Sequence, residues 1–160
     1  PLFDPSLGDL IGVNLTANLE LFQNYSAENL GVAPQNVDLN YSVELVVTTP
    51  GTGLISVAAS VLIREELAGF DGKQDYSGPS GMTIAYVTNS SKTQEYVGPS
   101  GFVATVPGET IVLSASVSHI GDGMSVPGNF ISMAKETVLS EVCVTYTYEP
   151  TVPGEGGISG

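Results

Sequence analysis

The feature that most constrains the fold of this chain is a regular alternation of apolar and polar residues. Over residues 13–21 every second side chain is apolar, and Asn, Thr and Glu fill the positions between. The same period of two returns over residues 37–47 and 55–63. Because successive side chains of a β-strand point to opposite faces, this period predicts half-buried strands rather than amphipathic helices.

Shorter alternating runs follow, separated by Gly, Pro and Asn turn signals. They lie at 82–86, 102–106, 111–117 and 138–148. A turn is predicted at 89–92 and a break in the last strand segment near 135–137. Residues 62–68 fit both a strand and a helical turn, of which a strand is favoured. The pattern predicts an all-β protein, an antiparallel β-sandwich or jelly roll of about 7–9 strands with little or no helix.

The domain organisation follows from length and composition. A chain of 160 residues is long enough for one core. We predict a single β-sandwich domain over residues 1–149 and a Pro/Gly-rich C-terminal tail over residues 150–160, whose composition is that of a linker.

The charge balance excludes one class of partner. Four basic residues oppose seventeen acidic ones, which gives a formal net charge of −13. Nucleic-acid binding requires clustered Lys and Arg, so it is excluded, and docking on anionic lipid is disfavoured. No apolar run is long enough to insert into a membrane. The acidity and the few sites for trypsin-like proteases indicate an extracellular, cell-surface protein. The start at Pro1 is typical of a mature chain whose signal peptide has been removed.

The residues that could carry catalysis are few. His119 is the only histidine, and no nucleophile elbow or Cys/His arrangement surrounds it, so a polar surface histidine is favoured over a catalytic base. Cys143 is the only cysteine and lies within a strand-like run, which predicts a buried, inert thiol. The sequence therefore predicts no enzyme and no catalytic residues.

One stretch, residues 69–101, combines turn residues with acids. Gly78-Pro79-Ser80-Gly81, preceded by a Tyr two positions earlier, recurs twenty residues later as Gly98-Pro99-Ser100-Gly101. Asp71 and Asp75 lie beside the first copy, and carboxylate oxygens on loops are ligands that Ca²⁺ takes. The simpler interpretation, which is favoured, is that each aspartate caps a turn by bonding its own backbone. The sequence thus predicts no cofactor, with Ca²⁺ as the alternative.

Several of these motifs together resemble the choice-of-anchor E domain, a family of secreted bacterial β-rich surface proteins. They are Phe3-Asp4-Pro5-Ser6-Leu7-Gly8, Phe70-Asp71-Gly72, Asp75-Tyr76-Ser77-Gly78-Pro79-Ser80-Gly81, Gly128-Asn129 and Val144-Thr145-Tyr146-Thr147-Tyr148. The resemblance implies export and display at the cell surface, and it brings no catalytic residues. The chain departs from the family pattern in having no hydrophobic sorting helix after Tyr148.

These observations favour a structural subunit of a surface layer or filament that binds other copies of itself. A terminal segment, residues 2–10 or 151–159, would add a strand to a sheet edge of the next subunit. The apolar candidates for this contact are Leu2, Phe3, Leu7, Leu10, Val152 and Ile158. The alternative is a calcium-dependent adhesin or carbohydrate-binding module that uses the Asp71–Asp75 corner, with a surface polysaccharide as its partner.

Overall fold

The computed structural model describes residues 1–49, 53–97, 100–119 and 128–151, and these residues form an all-β structure. The six strands are β1 (Gly8–Asn29), β2 (Gln35–Thr49), β3 (Gly53–Leu67), β4 (Gly81–Val97), β5 (Ser114–His119) and β6 (Phe130–Pro150). Two single-turn 3-10 helices occupy Pro5–Leu7 and Ser100–Phe102, and no α-helix occurs in the described ranges. A helix able to span a membrane is likewise not found among these residues.

The strands form two antiparallel sheets of three strands each, with the orders β4-β1-β6 and β3-β2-β5. β1 is the central strand of the first sheet and β2 the central strand of the second. β3 pairs with β2 along its whole length, whereas β5 pairs only with residues 43–48 of β2. The predicted all-β, antiparallel class is confirmed. The predicted number of strands is wrong, because the described part of the chain holds six.

Two strands are longer than predicted because they run through predicted turns. β4 is continuous through 89–92, where Asn89 is paired with Glu20 and Ser91 with Asn18 of β1. β6 is continuous through 135–137, where Lys135 is paired with Asn24. The neighbouring strand β1 supplies backbone hydrogen-bond partners throughout, so pairing overrides the weak turn preference of Asn, Ser and Lys.

The predicted strand at 102–106 is also wrong. Its first residue ends a 3-10 turn, and the segment then touches the chain's beginning through an isolated parallel bridge between Phe3 and Val103. The Phe3 N–H donates to the Phe102 carbonyl at 2.8 Å, and the Ala104 N–H donates to the Phe3 carbonyl at 2.9 Å. The strand predicted at 111–117 begins only at Ser114. The strand favoured at 62–68 is confirmed as far as Leu67, where β3 ends.

One apolar core lies between the two sheets, in a sandwich-like arrangement. Its members alternate along β1, β2 and β3, as the period of two predicts. The fully buried side chains include Leu15, Leu19, Leu21, Val43, Leu45, Val47 and Ile55. Each contributes about 1.5–3 kcal/mol by leaving water, before chain entropy offsets most of the total.

The core is distributed unevenly among the strands. The odd-numbered residues of β1 between Val13 and Ala27 are all buried, whereas β5 is exposed at every residue. On β6, Val138, Val142 and Val144 are only partly buried against the core. The long strand β6 therefore lies at a sheet edge whose inner face is incompletely covered.

Candidate functional site

The loop between β3 and β4, residues 68–80, is organised around a buried carboxylate that the sequence did not single out. Glu28, near the end of β1, is 0% exposed. Its Oε2 accepts a hydrogen bond from the Tyr76 N–H at 2.7 Å, and its Oε1 accepts one from the Ser80 hydroxyl at 2.6 Å. A buried carboxylate is costly unless its oxygens have donors, so these contacts fix the loop against the end of the strand.

The next residue, Asn29, completes the same polar cluster. It is also 0% exposed, and its amide nitrogen donates to the carbonyls of Ala33 at 2.8 Å and Ala68 at 2.7 Å. Its amide oxygen accepts from the Gly31 N–H at 2.9 Å. One side chain thus satisfies backbone groups of two separate loops, which stabilises this end of the molecule.

The glycines of the first Gly-Pro-Ser-Gly motif have specific steric roles here. Gly78 has a φ of +71°, a conformation that favours glycine. A Cβ at Gly81 would lie 2.6 Å from the Glu28 Oε2 and closer still to the Ser77 backbone nitrogen. The motif is therefore spaced to let the chain turn tightly over the buried carboxylate. In the second copy, Gly98 and Pro99 lie outside the described residues.

The structure places Asp71 and Asp75 in this loop as turn caps. Asp71 Oδ1 accepts from the Lys73 N–H at 3.0 Å, and Asp75 Oδ1 accepts from the Ser77 N–H at 3.1 Å and hydroxyl at 2.7 Å. The Ser77 hydroxyl is the main cause that lowers the pKa of Asp75. Both contacts have the two-residue spacing of the capping interpretation. In the described ranges no three His, Cys, Asp or Glu side chains converge as metal ligands would.

The outer face of the β4-β1-β6 sheet is a second candidate surface, and the sequence did not indicate it. It consists of rows of polar side chains in register across three strands. The Asn18 amide nitrogen donates to Glu141 at 3.2 Å, and its oxygen accepts from the Ser91 hydroxyl at 2.7 Å. An open cavity of about 450 Å³ lies here. Its lining residues include Asn18, Glu20, Asn89, Ser91, Leu139 and Glu141.

His119 bridges the two sheets at their open side. Its Nδ1 is hydrogen-bonded to the Tyr41 hydroxyl, and its Nε2 lies 3.2 Å from a carboxylate oxygen of Glu136 on β6. Burial raises the pKa of Glu136. The neighbouring Gln23, paired with Glu136 in the ladder, is 2% exposed, and its Oε1 has no hydrogen-bond partner among the described residues. His119 therefore joins the two sheets as well as lying at the surface.

The predicted self-association residues are partly engaged within the chain. Phe3 is 3% exposed and packs on Tyr146 and Tyr148, with ring centroids 5.7 and 5.2 Å apart. Leu7 is 50% exposed, and Leu10 is paired with Tyr148 in the ladder. Leu2 is partly exposed, and its N–H donates to the Glu109 carbonyl.

The first residue of the predicted tail, Pro150, belongs to β6. The Thr151 N–H donates to the Leu7 carbonyl at 3.3 Å. Val152 and Ile158 lie outside the described residues. The strand-donation prediction for the C-terminal segment therefore rests on its sequence.

The predicted burial of Cys143 is wrong. Its thiol was expected to be buried, but it is exposed on β6. The reason is its parity in the strand. Cys143 is paired with Thr16 on the outer face of the sheet, whereas its neighbours Val142 and Val144 face the core.

Comparisons of this chain with protein-family models, with curated proteins and with solved structures found no match. The resemblance to the choice-of-anchor E family therefore stays a prediction that depends on the motifs quoted above.

Proposed function

We propose that this chain is a non-enzymatic, extracellular structural protein, a subunit of a cell-surface layer or filament that assembles through head-to-tail or strand-addition contacts between copies. The observation that carries the proposal is the length of the sheet edges. β4 and β6 are the outer strands of one sheet and run for 17 and 21 residues. Outer strands of this length present backbone groups that pair readily with another chain.

Exposed apolar side chains on the same edge strands support this proposal. Val87 and Val97 on β4 and Met133 and Leu139 on β6 are each more than half exposed. Natural sheet edges are usually blunted by shortness, proline or inward charges. In β6 the one proline is its last residue, Pro150, and the charges that could blunt the middle of the edge are the outward Lys135 and Glu141 and the inward Glu136. Most of each edge is thus suited to pairing, and a partner of β6 has to accommodate these charges. The extracellular location is supported by the charge of −13.

The N-terminal segment, residues 2–10, could be donated to another copy only after it leaves its contacts within its own chain. Residues 2–10 are bonded to the 102–109 segment and to β6 of the same chain. A copy that donates this segment to a neighbour must release it from its own sheet, and the neighbour then offers equivalent contacts. Exchange of this kind is a form of domain swapping.

Electron microscopy and sedimentation of the purified protein over a range of concentrations test the proposal. We expect particles that grow with concentration into layers or filaments. A protein that stays monomeric at millimolar concentration would contradict it.

The second candidate is a calcium-dependent adhesin or carbohydrate-binding module. The observation that favours it is the outer-face cavity, where amide, hydroxyl and carboxylate groups of Asn18, Ser91 and Glu141 could bond the hydroxyls of a surface polysaccharide. Calcium would be held at Asp71 and Asp75. Calorimetry with Ca²⁺ and a glycan array test this function. If neither assay detects binding, the second candidate function is wrong.

A further inference from the structure

β6 has one partner strand and one open side. It pairs with β1 along almost its whole length, and its other edge has no strand partner among the described residues. Odd-numbered residues of β6 lie on the outer face of the sheet, with Lys135 opposite Asn24 and Cys143 opposite Thr16. Even-numbered residues such as Val142 face the core.

This parity restricts how two copies of β6 can pair side by side. In an antiparallel ladder, directly opposed residues share one face. Two copies related by a two-fold axis must therefore oppose odd residues with odd and even residues with even. The possible registers are those centred on a single residue of the strand.

Charge favours one of these registers. With Val138 at the centre, Lys135 and Glu141 are each three positions away, so Lys135 of each copy opposes Glu141 of the other. Centres at Lys135, Glu136 or Glu141 would place two like charges directly opposite each other, which is destabilising. A centre at Val142 opposes Lys135 with Glu149 but leaves Glu141 opposite Cys143, without a cation.

The Val138 register also pairs several of the remaining side chains favourably. On the outer face, Met133 opposes Cys143 and Thr137 opposes Leu139. On the inner face, Ala134 opposes Val142 and Phe130 opposes Tyr146. Aromatic and β-branched cross-strand pairs are the favourable ones in sheets. The sequence of β6 is therefore self-complementary about its own residue 138.

We propose that β6 of one copy pairs antiparallel with β6 of a second copy about Val138, which merges two sheets into one of order β4-β1-β6-β6-β1-β4. The inference rests on the proposed function, since it names one strand-addition contact of the assembly. A two-fold contact closes on itself and gives pairs, so a layer or filament of these pairs needs a second contact elsewhere on the surface.

A disulfide test reads the register directly. In Met133→Cys, the new thiol opposes the native Cys143 of the second copy, so mild oxidation with oxidised glutathione should give a covalent dimer with two bridges. The two positions lie ten residues apart on one strand, about 33 Å, so they cannot bridge within one chain. Wild-type chains, whose Cys143 opposes methionine, should cross-link at least about tenfold less than this variant.

Val87→Cys is the matched control. Val87 and Met133 are both 59% exposed, and Val87 lies on the outer face of the opposite edge strand, β4. We expect it to cross-link no faster than wild type. Equal cross-linking of Met133→Cys, Val87→Cys and wild type would overturn the proposed register.

Charge exchange provides a second, independent test. Lys135→Glu and Glu141→Lys each place like charges opposite each other, and we expect each to weaken pair formation about tenfold. The double variant Lys135→Glu/Glu141→Lys restores opposite charges and the native net charge, so its pair formation should recover. Thermal unfolding of each variant checks that the monomer is intact, because Glu141 also accepts from Asn18.

The outcomes separate this inference from the proposed function. If layers or filaments form while Met133→Cys fails to cross-link and the charge variants assemble normally, the β6 pairing is wrong and the structural function stands. If sedimentation shows only monomers at every concentration, both are wrong.

Discussion

The Ser80 hydroxyl donates a 2.6 Å hydrogen bond to Glu28 Oε1, although the two residues lie 52 positions apart in the chain. The contact joins the end of β1 to the loop that precedes β4, and both side chains are 0% exposed. Because water cannot replace either partner, the stability of this corner depends on the pair itself.

Ser80→Ala should lower the free energy of unfolding by about 1–3 kcal/mol, because it leaves Glu28 Oε1 buried without its donor. Urea denaturation measures the change. Ser60→Ala, at an exposed position of β3, is the matched control and should change the free energy of unfolding by less than about 0.5 kcal/mol. Equal effects at both positions would show that the buried pair contributes little.

Gly81→Ala should destabilise the protein more than Gly12→Ala does. A Cβ at Gly81 would lie 2.6 Å from Glu28 Oε2, whereas the nearest atom to a Cβ at Gly12 is 3.8 Å away. Thermal denaturation compares the two variants. We expect a loss of about 1–3 kcal/mol at Gly81 from overpacking and almost none at Gly12. The opposite order would contradict the steric role of the motif.

Glu136→Gln should stabilise the protein progressively, relative to wild type, as the pH rises from about 4 to about 7. Burial raises the pKa of Glu136 in the folded state, so its protonated form contributes stability below the unfolded pKa. That contribution is lost as the pH rises through the folded pKa, and Gln does not titrate. Urea denaturation of both proteins across this range measures the difference.

Two side chains face Glu136, and one of them could oppose the effect of burial on its pKa. His119 lies 3.2 Å away, and Gln23 is beside it in the ladder. A protonated His119 would favour the ionised carboxylate of Glu136. If the free energy of unfolding of Glu136→Gln falls relative to wild type as the pH rises, this ion pair outweighs desolvation.

Asp75→Asn should reduce the loss of stability that accompanies acidification. The Ser77 hydroxyl and N–H lower the pKa of Asp75, so its ionised form contributes stability above the unfolded pKa. That contribution is lost as the pH falls through the folded pKa. Denaturation midpoints between about pH 5 and about pH 2 measure the effect. An unchanged acid profile would show that the cap is not formed in solution.

The alternation of apolar residues was sufficient to predict the class of fold. It identified β1, β2 and β3 and the core-facing residues of β6, because a strand with one buried face has an apolar residue at every second position. It failed where pairing partners are distant. Asn89 and Ser91 carry turn signals locally, and only the neighbouring β1 keeps them in a strand.

The polar cluster at the end of β1 could not be predicted for a related reason. Glu28 and Asn29 look like two polar residues at a strand end. Tyr76, Ser80 and Ala68, which bond them, come from a loop far along the sequence, and only the Asn29 contacts with Gly31 and Ala33 are local. The Asp71 and Asp75 caps were predictable because their partners lie two residues away. Short-range hydrogen bonds can be predicted from sequence, whereas long-range ones require the fold.

The central position of β1 has a consequence for how the chain folds. Its two partner strands, β4 and β6, begin at Gly81 and Phe130, whereas β2 and β3 are the paired strands that follow each other directly along the described chain. Folding rates fall as contacting residues become more distant in sequence, so the β2–β3 hairpin should form early and the β1 sheet late. Until β6 has been synthesised, β1 has no partner for one of its edges. The nascent protein therefore has to keep its longest strand from pairing with other chains until β6 is complete.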